Sequence, residues 1–105
     1  MSFQFMDPAT LGERLDNGTR TVIVDIRDPN SFAAGNISGS LHLDNENVQA
    51  FIEQNNKSQP VVVCCYHGNS SQSAAQFLFE QGFTEVYSLN GGYEQWKVSF
   101  PQHCS

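Results

Sequence analysis

The sequence predicts an α/β fold in which a parallel sheet is covered by helices on both faces. Three observations point there. First, Thr21-Val22-Ile23-Val24 and Val61-Val62-Val63-Cys64 are unbroken, mostly β-branched runs. A half-solvated strand would alternate; an unbroken run suits a strand buried on both faces. Second, strand-like and helix-like segments alternate along the chain, the pattern of βαβ units with right-handed crossovers. Third, 105 residues fit one domain and leave little room for a second.

The elements follow in order. Phe3 to Met6 reads as a short strand. Asp7-Pro8 supplies an N-cap and a first helical position, and the helix runs to about Asp16 before the Asn17-Gly18 stop. The Thr21–Val24 strand comes next. Asp28-Pro29 opens a short helix that ends near Gly35. Leu41-His42-Leu43 is a further short strand, and Asp44 or Asn45 caps a helix to about Asn55. Pro60 precedes the second buried strand, Val61–Cys64. Ser71 to Gln81 is rich in helix formers and stops at Gly82. Glu85-Val86-Tyr87-Ser88 is the last strand. Asn90-Gly91-Gly92 is a turn, and Tyr93 to Val98 a final helix. No repeat, linker or low-complexity segment interrupts this order.

Composition narrows the function classes. A hydrophobic fraction of 39% supports a core and is too high for a disordered tail. The formal net charge of -6 argues against nucleic acid and against anionic membrane surfaces, both of which call for clustered Lys and Arg. The three cysteines, Cys64, Cys65 and Cys104, do not form an even disulfide framework. Free thiols fit a reducing compartment. The N-terminal segment has no basic region followed by a long apolar stretch, and no run approaches a membrane span. A cytoplasmic location is expected by elimination.

The chemically informative segment is Val61-Val62-Val63-Cys64-Cys65-Tyr66-His67-Gly68-Asn69-Ser70-Ser71. A buried strand enters a short loop that starts a helix, and ligands of open α/β sheets bind at the carboxyl ends of the strands. Cys65 sits at that edge. Gly68 lets the loop curl so that amides point inward, and the helix N-terminus adds about half a positive charge. An ordinary cysteine, with a pKa near about 8.5, is only a few per cent ionised at neutral pH. Lowering that by roughly two units takes about 2.7 kcal/mol of preference for the anion. One helix terminus supplies about 0.3–2 kcal/mol and each charged hydrogen bond about 1.5–3. Loop amides therefore suffice without Lys or Arg, and the loop contains neither. An inert small hydrophobe at a strand end is the plain alternative for Cys65.

This loop resembles the active-site loop of the rhodanese superfamily, and of its single-domain members in particular. Two flanking segments agree with that resemblance: Val24-Asp25-Ile26-Arg27-Asp28-Pro29 followed by Phe32 and Gly35-Asn36-Ile37-Ser38-Gly39-Ser40, and Gly91-Gly92-Tyr93-Glu94-Gln95-Trp96. The likeness runs from about Val22 to Pro101. Asn36 departs from it, standing where many relatives have His. The resemblance implies a five-stranded parallel sheet and a double-displacement reaction. In that reaction the Cys65 thiolate takes the outer sulfur of thiosulfate as a persulfide and passes it to cyanide or a thiol, a dithiol such as thioredoxin being an equally reasonable acceptor. Tyr66, His67, Gly68, Asn69, Ser70 and Ser71 would bind the substrate, and no metal or organic cofactor is implied.

Neighbouring residues have plainer expectations. Cys64 continues the apolar run and should be buried and inert, because adjacent strand residues face opposite ways. The His67 ring should point outward or touch substrate rather than serve as a base. Ser70 or Ser71 equally suits helix capping. Asp25 and Arg27 suit an ion pair or loop-fastening bonds better than the alternative of substrate groups, Gly91-Gly92 suit turn geometry, and Trp96 the core or its rim. Phe77, Leu78 and Phe83 read as core. His42 and His103 have no evident partners, and Cys104 lies near an exposed terminus without a catalytic role. A cysteine phosphatase or arsenate reductase is the rival enzyme, but the sixth position after the cysteine, where phosphatases place an oxyanion-gripping arginine, is Ser71. A thioredoxin-like oxidoreductase lacks its Cys-x-x-Cys. A non-catalytic binding module is the alternative from a different class.

Overall fold

The computed structural model describes residues 2–105. Five strands, β1 (Gln4–Met6), β2 (Val22–Asp25), β3 (Leu41–His42), β4 (Val61–Cys64) and β5 (Val86–Leu89), form one sheet in the order β1-β5-β4-β2-β3. Every pairing is parallel, and the register sets Val22 to Asp25 against Val61 to Cys64. The two unbroken apolar runs are β2 and β4, so β4 lies at the centre of the sheet and is buried along its whole length.

Helices α1 (Pro8–Asp16), α2 (Pro29–Ala34), α3 (Val48–Gln54) and α4 (Ser70–Glu80) connect the strands, α5 (Gly92–Ser99) follows β5, and a 3-10 turn covers Pro101–His103. Strand alternation divides the core in two. On one face Val24, Val61, Val63 and Val86 pack against Phe51 and Ile52 of α3 and Ala75 and Leu78 of α4. On the other, Ile23, Val62, Cys64 and Leu89 pack against Leu11 of α1 and Tyr93 and Trp96 of α5.

Several boundaries move from the expected ones for local reasons. Strands β2 and β5 each lie one residue later than expected: Thr21 and Glu85 drop out, and Asp25 and Leu89 join at the end nearer the loops. Helix α3 starts at Val48, not after Asp44 or Asn45. Asp44 N–H donates to Asn47 Oδ1 at 2.8 Å and Asn47 N–H donates to Asp44 Oδ1 at 3.0 Å, and this reciprocal turn occupies residues 44–47. Phe77 is corrected as well. Ala75 and Leu78 take the inward face of α4, which leaves Phe77 43% exposed, whereas Leu78 and Phe83 are core. Trp96 lies fully in the core.

His42 and His103 have partners that the sequence did not reveal. His42 Nε2 is 2.6 Å from the Arg27 carbonyl, and His103 Nε2 is 2.7 Å from Asp16 Oδ1. The C-terminal tail folds back. Cys104 bridges Ile37 antiparallel, and Asn36 and Ser105 exchange backbone hydrogen bonds. Cys104 is thus half-buried beneath the second core, and Asn36 fastens to the Phe32 carbonyl through its side chain.

Candidate active site

The chain leaves the carboxyl end of β4 at Cys64 and must enter α4 at Ser70. Five residues make that turn, and they wrap around one atom. Gly68 N–H donates to Cys65 Sγ at 3.1 Å and Ser71 N–H at 3.2 Å. Ser71 Oγ is also 3.2 Å from the sulfur. A neutral thiol donates to that hydroxyl; an anionic sulfur receives from it. Burial by itself pushes the Cys65 thiol up. The Ser71 hydroxyl and the amides of Ser71, Gly68 and His67 outweigh burial and hold it below its ordinary value.

Two glycines make the wrap possible. Gly68 has φ +92°, and a Cβ there would lie 3.0 Å from the amide nitrogen of Gly91 and 3.1 Å from the carbonyl of Leu89. The loop therefore rests directly on the β5–α5 backbone. Gly92 has φ +59°, and a Cβ there would stand 2.5 Å from the Tyr66 carbonyl. On the outer side, the Tyr66 hydroxyl donates to the Asp28 carboxylate at the N-terminus of α2, where Asp28 also caps Ser31 N–H at 2.9 Å. The loop is thus tied to both neighbouring βα connections.

The expected contrast between the two cysteines is present. Cys64 points to the opposite face, into the second core, and burial, followed by the nearby Asp25 charge, pushes its thiol far up. Both effects disfavour its thiolate, the nucleophilic form of a cysteine. Asp25 and Arg27 form a buried ion pair in which Arg27 Nη2 is 2.8 Å from Asp25 Oδ2. The same guanidinium donates to the Gly35 carbonyl at 2.7 Å and lies over the Tyr93 ring. Arg27 is committed to fastening the β2–α2 loop.

Comparison with known proteins agrees with this architecture. The profile of the rhodanese-like domain family matches residues 7–99. The chain belongs to the rhodanese-like domain family. Its relatives include proteins named thiosulfate sulfurtransferase GlpE. The one from Ectopseudomonas mendocina (strain ymp) is 54% identical over 103 residues, spanning 98% of this chain and 93% of the relative. That from Pseudomonas aeruginosa (strain PAO1) is 50% identical over 104 residues, spanning 99% and 93%. Among solved structures, a rhodanese-like domain protein from Staphylococcus aureus superposes with TM-score 0.79 at 20% identity, covering 90% of this chain and 91% of that one. The rhodanese-like domain of an Anabaena sp. protein gives TM-score 0.81 at 29% identity, covering 93% and 75%.

Within this rhodanese-like site the six loop residues divide by position. Tyr66, His67, Asn69 and Ser70 are exposed at the rim, while Gly68 and Ser71 are buried against the sulfur. Asn69 takes the N-cap position of α4 without a side-chain capping bond, so neither Ser70 nor Ser71 is the cap. Ser71 instead turns its hydroxyl inward to Cys65 and to Ser88 Oγ, 2.7 Å away. Sequence reasoning missed Ser88, Gly92, Tyr93 and Glu94 as parts of the site. Tyr93 and Glu94 donate their amides to the carbonyls of Cys65 and Tyr66, contacts that only the β5–α5 turn geometry creates. The glycine pair was the available signal, and it read as turn geometry alone.

Proposed function

We propose that this chain is a sulfurtransferase that moves the outer sulfur of thiosulfate to a thiophilic acceptor through a persulfide on Cys65. The Cys65 thiolate attacks the outer sulfur. A bond forms between Sγ and that sulfur, the sulfur–sulfur bond of thiosulfate breaks, and its electron pair leaves on sulfite. Cyanide or a thiolate then attacks the terminal sulfur. The new bond gives thiocyanate or a persulfide on the acceptor, and the electron pair returns to Cys65 as thiolate. This is covalent catalysis in two half-reactions.

The observation that carries this reading is the convergence of the Gly68 and Ser71 amides on Cys65 Sγ at 3.1 and 3.2 Å. Such donors stabilise negative charge on the sulfur before attack, and a persulfide anion one atom further out suits the same nest of amides. The loop supplies that field without a cation, which reconciles an anionic substrate with a chain of net charge -6. Tyr66, His67, Asn69 and Ser70 at the rim meet the incoming substrate, and Gly68 and Ser71 hold the sulfur. The names carried by the relatives at 50–54% identity support the same donor. Among the described residues no helix is long and apolar enough to cross a membrane. We place the enzyme in the cytoplasm as one domain, with a small thiol, cyanide or a dithiol protein such as thioredoxin as acceptor.

The rival phosphatase reading finds no support at the loop. Position 71 is serine, and Arg27 is held by Asp25 and the Gly35 carbonyl. Steady-state rates with thiosulfate and cyanide test the proposal. Parallel double-reciprocal lines are expected for wild type, with Cys65→Ser inactive and Cys64→Ser active. An active Cys65→Ser would overturn it.

A further inference from the structure

Two buried hydroxyls stand behind the sulfur. Ser71, in the first turn of α4, and Ser88, in β5, are both fully buried, and their Oγ atoms are 2.7 Å apart. With Cys65 Sγ 3.2 Å from Ser71 Oγ, three atoms form a chain from the nest of amides into the sheet. Alternation puts Ser88 on the Val86 face of β5, beneath α4, where the neighbours are apolar. A buried strand position of this kind ordinarily takes an aliphatic side chain.

Counting protons gives this chain a direction. Each hydroxyl has one proton to donate, and a thiolate can only accept. Facing an anionic sulfur, Ser71 donates to Cys65, and its oxygen is then free to accept the proton of Ser88. Facing a neutral thiol, the order reverses: the thiol donates to Ser71 and Ser71 to Ser88. Successive bonds of one direction polarise one another.

We propose that Ser88 is a positioning residue for the Cys65 sulfur: by donating to Ser71 Oγ it commits the Ser71 proton to the sulfur. Its catalytic consequence rests on the sulfurtransfer reading above; its effect on the sulfur does not. Other ionisable groups are poorly placed to produce the same effect. Asp25, Arg27 and Tyr93 surround Cys64 on the opposite face, and His67 is exposed in the loop. Two serines that merely satisfied each other would show the same 2.7 Å contact but would not influence the sulfur.

Alkylation of Cys65 by iodoacetamide, followed at the level of its peptide across pH, reads ionisation of the sulfur without any sulfur transfer. At neutral pH, Ser71→Ala should lower the thiolate fraction about tenfold or more. Ser88→Ala should lower it about two- to fivefold. In a Ser71→Ala background, Ser88→Ala should have no further effect. Thiosulfate kcat/KM of Ser88→Ala should fall by the same factor at neutral pH and recover at high pH, where the thiol ionises unaided. An unshifted midpoint in Ser88→Ala overturns the proposal, as does an equal shift with and without Ser71. If the midpoints behave as expected but wild type takes no sulfur from thiosulfate, the sulfurtransfer reading fails and the role of Ser88 stands.

Discussion

The amide of Tyr93 donates to the carbonyl of Cys65 at 2.8 Å, and the next amide, of Glu94, donates to the Tyr66 carbonyl at 3.1 Å. The first turn of α5 therefore fixes the two peptides on which the sulfur is mounted. A helix N-terminus has free N–H groups to give, and here they go to the loop rather than to solvent.

That contact makes Gly92 a sensitive position. Its φ of +59° and the 2.5 Å approach of any Cβ to the Tyr66 backbone leave no relaxed conformation for alanine. Gly92→Ala should lose roughly 1–3 kcal/mol from backbone strain alone. Sulfur transfer should fall with it, because the loop must shift to clear the methyl. Thermal or urea unfolding together with thiosulfate turnover checks this. Unchanged stability and rate in Gly92→Ala would contradict the described packing.

The buried pair Asp25 and Arg27 gives a second prediction. Their side chains are 1% and 3% exposed, and Arg27 Nε and Nη2 both reach the carboxylate. Burial works against the guanidinium charge, but the hydrogen bond and charge of Asp25 outweigh it and hold the Arg27 pKa above its ordinary value. Asp25→Ala leaves that charge buried with the Gly35 carbonyl and the rings of Tyr93 and Tyr66 but no anion, and should cost about 3–5 kcal/mol. Urea denaturation measures it. A much smaller loss would mean that water or a loop movement solvates Arg27.

A third prediction concerns pH. The Tyr66 hydroxyl, followed by the amide and hydroxyl of Ser31, holds the Asp28 carboxyl well below the usual carboxylate range. A depressed carboxyl contributes stability above its unfolded pKa, near about 3.9, and loses it as pH falls through the lower folded value. The Tyr66–Asp28 tie should thus persist well into acid. Carbon-13 titration of the Asp28 carboxyl should give a midpoint under the ordinary value, and Tyr66→Phe should move that midpoint upward. An ordinary midpoint in wild type would contradict the tie.

How far the sequence foretold this structure depends on the range of the interactions. Val22–Val24 and Val61–Cys64 declared themselves as buried strands because β-branched runs carry that information locally. Asp7-Pro8 and Asp28-Pro29 marked two helix starts for the same reason. The inward turn of the loop amides onto Cys65 was legible from its place between such a strand and a glycine-containing loop. The reciprocal Asp44–Asn47 turn was not, since side-chain pairing competes with an N-cap that the same residue types would supply. The partners of His42, His103 and Ser88 were also hidden. Ser88 meets Ser71 across 17 positions and His103 meets Asp16 across 87, so only the folded sheet brings them together. Phe77 misled because helical spacing alone does not say where the apolar face of α4 ends.

The most direct measurement is intact mass of the protein after thiosulfate treatment, with the added mass located by peptide. Wild type should gain one sulfur atom on the peptide containing Cys65, lose it on addition of cyanide, and gain none in Cys65→Ser. A gain that survives in Cys65→Ser, or no gain in a folded wild type, would contradict a sulfur-carrying Cys65.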